Sequence, residues 1–137
     1  MRTYIYVDSF NLYYGALRST PYKWLNLASL FRSILRPHHQ ILKIKYFTAL
    51  VDERPDDPKK PERQNVYLRA LETYCPEIEI YYGKFLNHRV SLPMANNPNN
   101  KVEVIKTEEK GSDVNLAVNL LNAVSYTHLT LPTKRIV

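Results

Sequence analysis

Four apolar residues, Tyr4-Ile5-Tyr6-Val7, run straight into Asp8-Ser9, and the helical spacing Phe10, Tyr13, Tyr14, Leu17 begins at once behind them. A strand that is apolar at every position has no solvent face. It is expected inside a parallel sheet covered on both sides. Because the strand passes into a helix with no intervening loop, its last side chain, Asp8, falls at the carboxyl edge of that sheet. In open α/β sheets ligands gather beyond this edge.

The rest of the chain continues the alternation. Asn26 precedes Leu27, Leu30, Phe31, Ile34 and Leu35, which predicts an N-capped amphipathic helix stopped by Pro37. Ile41 to Val51, rich in β-branched and aromatic residues, predicts a second strand. Asp52 to Lys60 is a charged, solvated loop. Pro61 then opens a helix with Tyr67, Ala70, Leu71 and Tyr74 on one face. Ile78, Ile80 and Tyr82 alternate as a third strand. Leu86 to Asn100, rich in asparagine and interrupted by two prolines, is expected to be a long, substrate-facing loop. Lys101 to Lys106 predicts a short strand. After Gly111-Ser112 a last helix carries Ala117, Leu120, Leu121 and Val124 on one face. The order β-α-α-β-α-β-β-α favours an α/β domain with a mostly parallel sheet.

Composition narrows the function classes. A chain of 137 residues with 45% hydrophobic and 23% charged residues suits one globular domain. A net charge of +6 is compatible with a polyanionic partner. The single cysteine, Cys75, has no internal disulfide partner, which points to a reducing compartment. The apolar run before Asp8 is too short for a signal peptide, and no run approaches membrane-spanning length, so the expectation is a cytoplasmic protein with no membrane contact. The absence of Gly-x-Gly-x-x-Gly and of a P-loop argues against a nucleotide-binding protein. His38, His39, His88 and His128 show no metal-ligand spacing.

Two constellations could carry chemistry. In Val7-Asp8-Ser9-Phe10-Asn11-Leu12, the carboxylate of Asp8 and the carboxamide of Asn11 share one side of the first helical turn. A carboxylate so placed can hold a hard cation; it can equally be a simple helix cap. In Glu108-Glu109-Lys110-Gly111-Ser112-Asp113-Val114-Asn115-Leu116-Ala117, a carboxylate opens a helix beside a lysine and a glycine turn. The lysine and the helix N-terminus suit a phosphate, while the plainer alternative is again a cap, by Ser112 or Asp113.

Taken in order, these segments resemble the NYN domain family, a branch of the PIN-like ribonucleases that includes LabA-like members. The likeness spans about Thr3 to Ala123 and includes Arg63-Gln64-Asn65-Val66-Tyr67-Leu68, which is similar to the family's central helix. The resemblance implies a PIN-like three-layer α/β/α fold with a mostly parallel sheet, incomplete at the C-terminus. It also implies a metal-dependent ribonuclease acting on RNA through Mg²⁺ or Mn²⁺. Asp8 and Asp113 would be catalytic metal ligands and Asn11 a supporting catalytic residue. Lys110, Arg63 and Gln64 would contact RNA or shape the pocket. A metal-bound water would attack the phosphorus in line. The alternative is a non-catalytic RNA-binding or regulatory module on the same fold, and a homo-oligomer is compatible with either. The family's further acidic motif, a Ser-Gly-Asp-Ser-Asp-like turn after a following strand, has no counterpart in this sequence.

The end of the chain reads differently. Thr127, Thr130, Pro132 and Thr133 abandon the helical pattern where a strand is due. Val124-Ser125-Tyr126-Thr127-His128-Leu129-Thr130-Leu131-Pro132-Thr133 looks like a one-frame translation of a common transposon-based sequencing-library adapter. The expectation is a truncated, inactive domain over residues 1–123 followed by a non-native tail over residues 124–137.

Overall fold

Parallel pairing of three strands organises the molecule. The computed structural model describes residues 1–127, apart from the side chains of Leu86, Glu109, Lys110, Tyr126 and Thr127. Most of the expected foreign tail, residues 128–137, lies outside the described residues. In chain order the elements are β1 (Arg2–Asp8), α1 (Ser9–Leu12), a π-helical turn (Tyr13–Leu17), α2 (Leu27–Ile34), β2 (Gln40–Leu50), α3 (Lys60–Tyr74), β3 (Ile78–Pro93), β4 (Lys101–Lys110) and α4 (Ser112–Thr127). The sheet order is β1-β2-β3-β4. The first three strands are parallel, with Asp8 opposite Phe47 and Phe47 opposite Tyr81. β4 is antiparallel to β3. The chain is therefore a small mixed α/β protein, as the element order predicts.

The two faces of the parallel strands differ. On one, Ile5, Val7, Ile44 and Tyr46 pack against Leu27, Ala28 and Phe31 of α2 and Leu68 and Leu71 of α3, with Cys75 closing the cluster. Asn26 caps α2 through its Oδ1, which accepts from Ser29 N at 3.2 Å and from Cys75 Sγ at 3.4 Å. On the other face Tyr6, Phe47 and Tyr81 form a near-parallel run of rings, 6.4 Å and 4.9 Å apart. Lys45 Nζ lies 5.9 Å from the Tyr6 ring centre and 5.8 Å from that of Tyr81, and it donates to Asn119 Oδ1 of α4 at 3.3 Å. α4 packs across β1, β2 and β3 on this side.

The structure corrects several expectations. The long loop of Leu86 to Asn100 is largely strand: β3 continues to Pro93 and pairs with β4 from Lys84↔Lys110 to Pro93↔Lys101. Cross-strand pairs such as Val90–Val104 and Leu92–Val102 supply the ladder that the asparagines and prolines obscured. Only the tip between the strands is turn. The first helix is a single α-turn followed by the π-helical turn. In α3 the inward stripe runs through Gln64, Tyr67, Leu68 and Leu71 to Cys75, while Tyr74 is 72% exposed, because the helix ends there beyond the packed surface. In α4 the inward positions are Ser112, Asn115, Leu116, Asn119, Leu120 and Ala123, whereas Leu121 is 67% exposed and Val124 also faces solvent. The polar Asn115 and Asn119 point inward because the sheet face beneath them carries Lys45 and open carbonyl groups.

Leu71→Ala should lower the unfolding free energy by about 2–5 kcal/mol, as for other buried leucine truncations. Tyr74→Ser, three positions along, should change it by less than about 0.5 kcal/mol. Urea denaturation of both variants checks the register of α3.

Candidate functional site

At the carboxyl edge of the parallel strands, the chain passes from β1 into α1 at Asp8, whose backbone is still extended (φ −84°, ψ 106°). Its carboxylate is buried and held from two directions by one residue. Oδ1 accepts from the Asn11 backbone N at 3.3 Å, and Oδ2 accepts from Asn11 Nδ2 at 2.9 Å. The capping role and the clasp by the carboxamide thus coexist. Ser9 is also buried, and its Oγ has no hydrogen-bond partner among the described residues. Burial is the main cause that pushes the Tyr46 phenol up to about 12, and the nearby Asp8 charge adds to it.

Aromatic side chains follow Asp8 in the chain and meet one another and β3. Phe10 meets Phe85 edge to face, ring centres 5.0 Å apart at 83°. Phe10 also lies 6.5 Å from Tyr14, and Tyr14 meets Tyr13 edge to face at 5.1 Å. Phe85 belongs to β3 just beyond its pairing with β2, so the base of the β3–β4 hairpin forms one wall of the site. That base is clipped to the loop after β2: Asn87 Nδ2 donates to Asp52 Oδ2 at 3.1 Å, and Thr107 Oγ1 donates to Asn87 Oδ1 at 2.6 Å. Sequence reasoning missed Phe85 because the third strand was followed only to Tyr82, Asn87 because Leu86 to Asn100 was read as loop, and Asp52 because it lies in a charged loop. The alternation Val90, Leu92 against Val102, Val104 was the signal that could have found the hairpin.

The other expected site residues are distributed as follows. Gln64 spans a gap in the backbone bonding at the end of β2, with Nε2 donating to Ala49 O at 2.8 Å and Oε1 accepting from Val51 N at 2.9 Å. Both ends of its amide are used structurally. Arg63 forms a forked ion pair with Asp57, Nη1 to Oδ1 at 3.0 Å and Nη2 to Oδ2. The hydrogen bond from Arg63 holds the Asp57 carboxyl below its ordinary value. Asp113 is exposed in the first turn of α4, behind the buried Ser112. Gly111 precedes them at φ +96°, a conformation that favours glycine, and a Cβ there would stand 3.6 Å from the Gly83 Cα. The Lys110 side chain lies outside the described residues. Among the described residues no three of His, Cys, Asp and Glu come together as a metal site. A divalent ion held by Asp8 and Asp113 alone would keep most of its water.

No family model matches the chain, and no solved structure matches it. The chain is 35% identical to 6-hydroxy-3-succinoylpyridine 3-monooxygenase HspA of Pseudomonas putida (strain DSM 28022 / S16), over an alignment of 145 positions that covers 86% of this chain and 46% of that protein. It thus spans about half the length of the curated relative it matches. This finding overturns the expectation of a ribonuclease. The relative is named for a redox reaction on a pyridine, not for hydrolysis of RNA. The acidic motifs misled because an Asp at a strand end with Asn three residues on is also what a buried helix cap looks like. Among the described residues no helix is long and apolar enough to cross a membrane.

The Tyr46 phenol gives a pH test. Its folded value of about 12 lies above the ordinary 10.0, so its contribution to stability is complete below pH 10 and is lost as pH rises toward 12. Urea midpoints measured from pH 8 to 12 should fall steeply for the native protein above pH 10. They should fall less for Tyr46→Phe, which keeps the ring and removes the ionising group.

Proposed function

We propose that this chain is part of an enzyme that oxygenates a substituted hydroxypyridine, the class of reaction named for its Pseudomonas relative. The observation that carries the proposal is the identity with that relative along most of this chain. The carboxyl edge of the sheet supplies suitable groups. The buried Asp8 carboxylate, fixed by Asn11, can accept a hydrogen bond or a proton from a ring hydroxyl. Phe10, which follows it in the chain, and Phe85 offer aromatic surface. Removing that proton raises the electron density of the ring and favours attack by an electrophilic oxygen species.

A monooxygenase places one atom of O₂ in its substrate and reduces the other to water, consuming two electrons and two protons from a reductant such as a reduced nicotinamide or flavin. With glycines only at positions 15, 83 and 111, the chain has no Gly-x-Gly-x-x-Gly cradle for a dinucleotide. The proposal therefore assigns this chain the holding of the ring. For the fold, a three-layer PIN-like arrangement of the NYN type is part of the same proposal. It is supported by α2 and α3 on one sheet face, α4 on the other, and the likeness of the Asp8–Asn11 and Lys110–Ala117 segments to that family.

Oxygen uptake by the purified protein, supplied with 6-hydroxy-3-succinoylpyridine and either reduced nicotinamide or reduced flavin, should depend on the pyridine. Asp8→Asn should slow it by about 10²-fold or more with the fold retained by circular dichroism. Folded protein that consumes no oxygen with any of these reductants, or consumes it without regard to the pyridine, would refute the proposal.

A further inference from the structure

The run of rings that follows Asp8 continues outward to a cation. From Phe85 it passes through Phe10 to Tyr14, and the Arg18 guanidinium lies 5.5 Å from the Tyr14 ring centre. These side chains do not belong to the hydrophobic core cluster, and Tyr14 is 53% exposed. An exposed cation–π contact of this kind contributes too little to account for the arrangement by stability. Among the described residues no carboxylate stands within ion-pair distance of Arg18.

The backbone under these rings is also unusual. Tyr13–Leu17 is π-helical, and such turns are rare and frequent at functional sites because the wider turn re-aims side chains. Gly15 within it faces open space: a Cβ there would meet nothing within 4 Å, so packing gives no reason for the missing side chain. The π-turn and the open space at Gly15 leave the Tyr14 ring accessible next to the Arg18 guanidinium.

We infer that Phe10, Tyr14 and Phe85 with Arg18 form a recognition face for a planar aromatic compound carrying a carboxylate. The rings take the flat part of the ligand, and the fork of the guanidinium takes the carboxylate in two parallel hydrogen bonds. Asp8, two residues from Phe10, then sits at the other end, where a polar ring substituent is met. This rests on the hydroxypyridine reading, since a succinoyl substituent ends in a carboxylate, and it adds which end of such a molecule points where.

The test titrates the 137-residue protein with three compounds, followed by calorimetry: 6-hydroxy-3-succinoylpyridine, 2-hydroxypyridine without the acid arm, and 4-oxo-4-phenylbutanoate, which keeps the arm on a plain benzene ring. Arg18→Gln should weaken the two acids about 10-fold or more and leave 2-hydroxypyridine unchanged. Phe85→Leu should weaken all three, and Arg89→Gln, out on the hairpin, should weaken none. If the phenyl acid binds with this dependence on Arg18 and the pyridine acid does not bind, the recognition face stands and the pyridine reading fails. If the pyridine acid binds with equal affinity to the native protein and to Arg18→Gln, the face is overturned while the pyridine reading survives. If the folded native protein binds neither acid at millimolar concentration, the face is overturned as well.

Discussion

The two hydrogen bonds from Asn11 to the oxygens of Asp8 join β1 to α1, and much of the site follows from that clasp. A buried carboxylate is costly to desolvate unless its lone pairs are satisfied. Here a backbone N–H and a carboxamide satisfy it within one turn. The same bonds fix the direction in which the chain leaves the sheet. Phe10 is thereby delivered to Phe85, two strands away, and the edge-to-face contact ties the first turn of the protein to the root of its hairpin.

Beneath that edge the sheet presents two chemistries. One face is conventional aliphatic core against α2 and α3. The other is lined by Tyr6, Phe47 and Tyr81, with Lys45 poised over two of the rings and Glu79 bonded to both Lys43 and Tyr81. The bond from Lys43 holds the Glu79 carboxyl below its ordinary value, and burial, aided by the bond to Glu79, pushes the Tyr81 phenol up to about 12. α4 meets this face with Asn115 and Asn119 beside Leu116 and Leu120, and its outer surface keeps Val114, Val118, Leu121 and Val124. A helix with an amphipathic pattern can thus turn its more polar side inward when the surface below is itself polar.

What could be read from the sequence divides along physical lines. β1, the Asn26 cap, the proline-led start of α3 and the order of elements were legible because each depends on a few neighbouring residues. The hairpin was not, since Pro93 and the asparagines around it signal a break while the ladder that overrides them is made across strands. The same limit hid Phe85. Asp8 and Asn11 were correctly placed together, but residue types alone did not fix the chemistry. A carboxylate clasped by a carboxamide can serve a metal, a proton or a cap. Arg63 and Gln64 were read as contacting RNA or shaping the pocket, and the structure engages both within the chain, one with Asp57 and the other with the β2 backbone. Such engagements depend on side-chain reach, which a helical pattern does not reveal.

The handover along β3 has a mechanical side. Ile78 to Lys84 pairs with β2, Lys84 to Pro93 pairs with β4, and Lys84 alone belongs to both ladders. The hairpin is therefore a cantilever rooted at one residue, braced there by the Phe10–Phe85 contact and the Asp52–Asn87 bond. At about 3.4 Å per residue its nine steps from Lys84 to Pro93 give an arm of roughly 31 Å, so each degree of tilt at the root displaces the tip by about half an ångström. The lever works in both directions: a load at the far asparagine-rich turn is delivered, reduced in travel and multiplied in force, to the Phe10–Phe85 pair.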